Sequence, residues 1–372
     1  MANNHIYLDH AASTPPWPQA LELHSKCAST QYANPSSRHR SGRTAKQSYE
    51  EIKENLCETL GFHDGFFLHT SSATESNNQV ILNFLRNTPQ GKIFIGQDVH
   101  PSLSWVGEAF PKQCSWLALT SDGEYQLPNP DNRALFLLNL VSQDIGTLHN
   151  TESWSTLTSN PQVHLHVDAT QAIGKLSLNL DTLPFHTLSF SSHKFGGIKG
   201  SAGLLIRNTQ LDPLLQGGSQ EDQLRAGTQN LPALAGSFEA LSLNLKLYGD
   251  HRSELIQLRK IFIEGLKSLP HPILINEPAK GVPWIISFSV PGYLGAELVA
   301  AMSRQGVETS TSSACHQDTP SAPRAIEALG RTEHEALGSL RVSFHPHTKA
   351  EHLHACLSSL GICLKELDST KT

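Results

Sequence analysis

The chain has 372 residues, 38% of them hydrophobic and 17% charged, with 26 Gly and 21 Pro, a composition that excludes collagen, coiled coil and disorder. Lys and Arg number 28 against 34 Asp and Glu, a formal net charge of −6, so neither nucleic acid nor a membrane surface is an expected partner. At roughly 100 to 200 residues per domain, the length predicts two domains with a cleft for a small ligand. The first residues, MANNHIYLDHAAS, contain no basic and apolar leader, and runs such as Leu135–Val141 are too short to span a membrane. The expected compartment is the cytoplasm. The 6 cysteines show no CxxC spacing, which excludes a zinc ribbon and a disulfide framework.

In chain order, residues 42–60 place Ala45, Tyr49, Ile52, Leu56 and Leu60 at three- or four-residue steps, which predicts an amphipathic helix closed by Gly61. Phe66–Thr70 (FFLHT) predicts a short buried strand, and a second helix starts at Glu75 with Val80, Ile81, Phe84 and Leu85 on one stripe. KIFIG at 92–96, ALFLLNLV at 134–141, VHLHVDA at 163–169, HTLSFSS at 186–192 and SAGLLIR at 201–207 predict further strands. Strands joined by crossovers imply an α/β fold with a mostly parallel central sheet and helices on both faces. Helices from Pro232 to Leu247 and from Glu254 to Leu266 precede two more strands, Trp284–Val290 and Ser339–Phe344, and a helix around Leu353–Leu360. The division between domains is expected near Asp250.

The chemistry concentrates between HVDATQ, at 166–171, and SSHK, ending at Lys194. In an open parallel sheet, ligands sit at the carboxyl ends of strands, so Asp168 and Lys194 can meet at one small molecule. Pyridoxal 5'-phosphate (PLP) needs those two groups: a lysine to bond its aldehyde and an acid to keep its ring nitrogen protonated. Upstream, TSSATESNN at 70–78 follows a strand and opens a helix, so its free N–H groups and hydroxyls form a phosphate cup. Cys315 lies in SSAC, ahead of a run of small residues that ends in a helix, between polar flanks Ser312, Ser313, His316 and Gln317. That setting suits a nucleophilic thiolate. Cys27, Cys57, Cys114, Cys356 and Cys363 are expected as small buried apolar residues.

With these come YLDHAAS at Tyr7, NPSSRHRSGRTA at Asn34, SFSSHKFGGIKGSAGLLIR at Ser189, LRAGTQN at Leu224 and LRVSF at Leu340, in one order along nearly the whole chain. On those motifs the chain resembles the cysteine desulfurase branch of the class V aminotransferases, fold type I PLP enzymes, with some similarity to selenocysteine lyases. The resemblance implies a large PLP-binding domain at 16–250 and a smaller α+β domain, from 1–15 and 251–372, that carries the catalytic cysteine. It implies that Lys194 holds PLP, Asp168 pairs with the pyridine nitrogen and Gln171 contacts the phenolic oxygen. Ala73, Thr74, Ser191 and His193 would bind phosphate, and His100 would stack on the ring. Thr228 would reach the phosphate of a partner subunit, implying a homodimer, while Asn34 and Arg341 would hold the substrate carboxylate. The implied reaction converts L-cysteine to L-alanine, with the sulfur captured as a persulfide on Cys315 for an acceptor protein or a small thiol.

Three departures from the family pattern stand out. SQDIG places Gln143 where the family usually has the asparagine of a cofactor contact, and ACHQD is closer to the ACHSD of selenocysteine lyases than to ACTS. L-selenocysteine is therefore an alternative substrate. The chain also ends soon after the helix around Leu353–Leu360, without the longer tail by which housekeeping desulfurases engage the iron–sulfur scaffold. A rival reading takes His164, His166 and Asp168, alternating on one strand face, as ligands of a metal-dependent hydrolase.

Overall fold

Period-2 alternation along the strands divides the apolar side chains between two cores, and this division builds the architecture. The computed structural model describes residues 5–120, 122–207, 209–276, 280–311 and 322–371. Strand β1 (Ile6–Tyr7) precedes helices α1 (Pro18–Thr30) and α2 (Arg40–Leu60). Helix α2 starts two residues before the expected position because the His39 ring accepts from Gly42 N, a capping role more usual for Ser, Thr, Asp or Asn. It ends as expected at Gly61, at φ 60°.

There follow β2 (Phe66–Thr70), α3 (Ala73–Asn87), β3 (Lys92–Gly96), α4 (Pro101–Ala109), β4 (Cys114–Leu117), β5 (Ala134–Asn139), α5 (Trp154–Thr158), β6 (Val163–Asp168), β7 (Thr187–Ser191) and β8 (Ala202–Ile206). They form a seven-stranded sheet in the order β2-β8-β7-β6-β5-β3-β4, with β8 antiparallel to both its neighbours and the other pairings parallel. Leu68, Leu135, Leu137 and Leu204 pack on one face with Val80 and Ile81 of α3 and Leu103 of α4. Their chain neighbours Phe67, Phe136, Leu138 and Leu205 pack on the other, with Leu56 of α2 and Leu241 of a later helix. The expected strand at 134–141 stops at Asn139, and Val141 forms only an isolated bridge to Leu148.

Helices α6 (Leu231–Asp250) and α7 (Arg252–Lys267) come next, so the division expected near Asp250 falls at a one-residue break. The rest comprises β9 (Leu274–Ile275), β10 (Ile285–Ser289), α8 (Gly295–Arg304), β11 (Val307–Glu308), α9 (Arg324–Ala328), α10 (Glu333–Leu337), β12 (Ser339–Ser343) and α11 (Ala350–Lys371). Strands β12, β10 and β9 make an antiparallel sheet, while β1 pairs in parallel with β11. The N-terminal segment is thus tied to the last third of the chain. Among the described residues, no helix is long and apolar enough to cross a membrane.

Chain direction across the large sheet reverses between β3 and β5: β4 lies outward of β3, whereas β5, β6 and β7 proceed the other way. Ligands of open α/β sheets sit outside the carboxyl ends of strands at such a reversal. One glycine there connects fold to site. Gly174 has φ +80°, and a Cβ on it would lie 2.6 Å from Cβ of Phe195, the residue after Lys194. We expect Gly174→Ala to lower stability by about 2 kcal/mol through backbone strain and this collision, read as a reduced urea midpoint; an unchanged midpoint would refute the constraint.

Candidate functional site

A cleft of about 360 Å³ opens at the reversal point. The end of β6 brings Asp168, the turn after it brings Thr170 and Gln171, the end of β7 brings Ser191, and the turn after β7 brings His193 and Lys194. Ala73 and Thr74 come from the start of α3, and His100 from the start of α4. Gln143, Asp144 and Arg341 close the opposite part of the lining.

Asp168 is nearly buried, and donors hold both of its oxygens: Thr170 N donates to Oδ1 at 2.9 Å, and Asn77 Nδ2 donates to Oδ2 at 3.2 Å. A carboxylate only accepts, so Asn77 must turn its NH2 toward Asp168 and its carbonyl away. That carbonyl then accepts from Ser189 Oγ at 2.6 Å and from His166 Nε2 at 2.9 Å. His166 Nδ1 consequently accepts from the Thr187 hydroxyl, which accepts in turn from His164 Nε2, each at 2.9 Å. Both histidines are engaged within the protein. Burial lowers the pKa of each, to about 4 for His166, and among the described residues no group of three or more His, Cys, Asp or Glu can hold a metal. The hydrolase reading is corrected accordingly: the alternation is real, but it carries a hydrogen-bond relay.

The relay reaches His100. Asn77 Nδ2 also donates to Ser102 Oγ at 2.8 Å, leaving that hydroxyl to donate to His100 Nδ1 at 2.8 Å, where Ser102 N donates as well. The His100 proton therefore sits on Nε2. Burial lowers the pKa of this ring; Asp168 partly offsets the effect and Lys194 adds to it. Behind the loop, Tyr125 Oη donates to Asp98 Oδ1 at 2.5 Å, His149 Nε2 lies 2.9 Å from Asp98 Oδ2, and Asn139 Nδ2 donates to Asp98 O at 2.9 Å. Burial raises the Asp98 pKa, but the His149 ring and the donors outweigh it and hold the carboxyl below its ordinary range. This group anchors the β3–α4 turn that presents His100.

Lys194 sits in a 3₁₀ turn, Ser192–Phe195, ended by Gly196 at φ 77°. Its Nζ donates to Ala11 O at 2.8 Å and to Ala12 O at 2.9 Å. Arg341, on β12, gives Nη2 to Asp9 Oδ1 at 2.8 Å and Nη1 to Gln143 O at 3.1 Å. The N-terminal segment 9–12 thus holds both cations. Burial pushes Asp144 up to about 7, against the pull of Arg341. Burial, Lys194 and Lys199 together lower His193 to about 3.

Two residues named from the sequence lie outside the cleft, and a third falls outside the described residues. Asn34 is exposed and its Oδ1 accepts from Ser36 N at 2.9 Å, a local turn that keeps it out of this chain's cleft. Thr228 is also exposed and lines a separate cavity with Tyr49, His69 and Arg225. Cys315 lies outside the described residues. Of the other cysteines, Cys27, Cys356 and Cys363 are buried as expected, whereas Cys57 and Cys114 are only half-buried because each lies at the margin of a core. The sequence reading gave no role to Asp9, Asn77 or the Ala11 and Ala12 carbonyls, although YLDHAAS and TSSATESNN contain them.

The site fits PLP in its donor set. Its acid is held with both oxygens oriented, the first N–H groups of α3 have no preceding helical carbonyl to bond, and an amine stands nearby. Thr170 Oγ1, Asp144 Oδ1 and Arg341 Nε, all on lining residues, are buried without a hydrogen-bond partner among the described residues and so leave polar capacity for a ligand.

Comparison with known proteins places the chain in a family. The aminotransferase class-V family description matches residues 6–355. A cysteine desulfurase IscS of Dictyoglomus turgidum is 29% identical over 375 residues, covering 97% of this chain and 95% of that protein. The solved structure of a NifS-like protein superimposes with a TM-score of 0.87 at 26% identity, covering 97% of this chain and 99% of the other. SspA in complex with cysteine gives 0.76 at 25% identity, covering 92% and 99%.

Buried neutral histidines make acid stability a test of this packing. Burial is the largest cause of the low values of His10, His69, His166, His193 and His345, which lie at about 3 or 4 against an ordinary 6.5. Between 6.5 and those values the unfolded chain binds more protons than the folded one, so stability is complete above pH 6.5 and falls as pH drops. The slope is about 1.4 kcal/mol per pH unit for each histidine. Urea midpoints at fixed ionic strength should be clearly lower at pH 5 than at pH 7.5; equal midpoints would contradict the burial.

Proposed function

Because the chain belongs to the aminotransferase class-V family, we propose that it is a PLP-dependent cysteine desulfurase that takes sulfur from L-cysteine and leaves L-alanine. The observation that carries this reading is one cleft that joins the Lys194 amine, the oriented Asp168 carboxylate and the Arg341 guanidinium.

Lys194, Asp168 and Gln171 would hold the aldehyde, pyridine nitrogen and phenolic oxygen of the cofactor. Ala73 and Thr74 N–H groups, Ser191 and His193 would take its phosphate, and His100 would stack on its ring. Gln143, lining the cleft, would make the contact that asparagine makes in the family. Bound PLP supplies an electron sink for charge released at the substrate Cα. The remaining work belongs to the chain. Arg341 grips the substrate carboxylate with parallel donors, a task suited to its planar fork. Lys194 Nζ, once free, accepts the Cα proton. The Cys315 thiolate forms an S–S bond to the substrate sulfur as the Cβ–S bond breaks; the bonding pair stays on Cβ, which takes a proton, and return of a proton to Cα from Lys194 Nζ completes alanine. The sulfur then passes from Cys315 to an acceptor protein or a small thiol.

A homodimer belongs to this reading, with Thr228 of each copy serving the other's phosphate; its exposure, away from its own cleft, supports that arrangement. L-cysteine is the preferred substrate, and the likeness to SspA in complex with cysteine supports that choice. A cytoplasmic setting suits the free state of all the described cysteines.

Wild-type protein should be yellow with PLP and should release sulfide from L-cysteine faster than selenide from L-selenocysteine. Cys315→Ala should keep the colour and lose sulfide release, whereas Lys194→Ala should lose the stable colour; sulfide formation that persists in Cys315→Ala would end the persulfide step. Arg341→Lys should raise KM for L-cysteine roughly 10- to 100-fold through loss of the bidentate contact, measured by steady-state kinetics; an unchanged KM would remove Arg341 from the substrate site.

A further inference from the structure

Lys175 is a buried amine that the mechanism above does not use. It is 4% exposed and lies behind the cleft, four residues beyond Gln171. Its Nζ donates to Gln171 Oε1 at 3.2 Å, while Gln171 Nε2 donates to Ala11 O at 2.8 Å. A carbonyl only accepts, so the amide nitrogen must face Ala11 and the amide oxygen must face Lys175. An amide nitrogen carries two protons. One goes to Ala11 O, the carbonyl that also accepts from Lys194, and the other remains for a ligand in the cleft that Gln171 lines.

Among the described residues, the charged and titratable groups facing Lys175 are Lys194, Arg341, His10, His193 and His345, none of them an acid. Burial, with the charges of Lys194 and Arg341, brings its pKa down to about 7. A methionine of similar length would be easier to bury, so what distinguishes the lysine here is its donation to Gln171. Resting on the PLP reading, we propose that Lys175 is a positioning residue: it fixes the Gln171 amide with its N–H edge toward the cofactor's phenolic oxygen and strengthens that donor. Without the amine, Ala11 O alone orients the amide. The positive charge near the ring also disfavours the protonated form of the cofactor bound to Lys194.

The test compares holo wild type with Lys175→Met, Lys175→Arg, Gln171→Met and the Lys175→Met/Gln171→Met double variant. It reads the pH titration of the visible absorbance and the PLP affinity of the apo proteins. Lys175→Met should move the absorbance midpoint upward by about one pH unit, a tenfold change in proton affinity, and weaken PLP binding several-fold. Lys175→Arg should stay near wild type, and Lys175→Met should add little to the affinity loss of Gln171→Met. Removing an unpaired buried charge should leave the fold intact; Lys175→Gln is the second uncharged variant, with the same expected direction. A loaded wild type and Lys175→Met with equal midpoints and affinities would overturn this inference alone, as would affinity losses that simply add in the double variant. A wild type that takes up no PLP would overturn the functional reading and this inference with it.

Discussion

A carboxylate at the bottom of a cleft is tolerable only when donors surround it, and here Asn77 provides the essential one. Both of its amide protons and both lone pairs of its carbonyl are used, joining Asp168, Ser102, His166 and Ser189. Because each partner can play only one role toward it, the proton positions on His166 and His100 follow from valence. The start of α3, the end of β6 and the start of α4 are thereby locked in register. The residues suited to phosphate, pyridine nitrogen and ring face are held by one side chain rather than by three independent loops.

A second constraint joins the two ends of the chain. Asp9 pairs with Arg341, and the carbonyls of Ala11 and Ala12 receive Lys194. Thr14 N donates to His193 O and Trp17 N to Gly196 O, which fastens the same segment along the turn that carries Lys194. An otherwise irregular stretch therefore sets the distance between an amine on the large sheet and a guanidinium on the small one. Geometry of this kind decides whether a substrate's amino and carboxyl groups can be engaged together.

The large sheet was readable from the sequence because its central strands are short segments buried on both faces, a near-continuous apolar run in ALFLLN and apolar residues alternating with small hydroxyl residues in TLSFS. Strand β4 was not, because CSWL is short and half-exposed at the sheet edge. Helix α1 buries only Ala20 and Cys27 and so shows little amphipathic stripe. Within the site, Asp168 and Lys194 stood out as charges at a strand end and a turn, whereas Arg341, in the middle of β12, was named only through the resemblance. Asn77 did not, since its partner Asp168 is 91 residues away, and no local pattern encodes such a contact. His164 and His166 illustrate the reverse: their spacing was correctly read, but the residues satisfying them come from β7 and α3. Asn34 and Thr228 were carried over by resemblance: Thr228 came already assigned to a partner's phosphate, whereas Asn34 came with a role but with no contact that would place it beside this cleft.

The union of the first residues with the last third of the chain has a bearing on biosynthesis. Asp9 and its partner Arg341 are 332 positions apart, so this segment can meet the turn that carries Lys194 long before its contact with β12 can form. Such high contact order delays native closure. The large sheet can assemble on the nascent chain, but the pocket stays open on one side until β12 has been made.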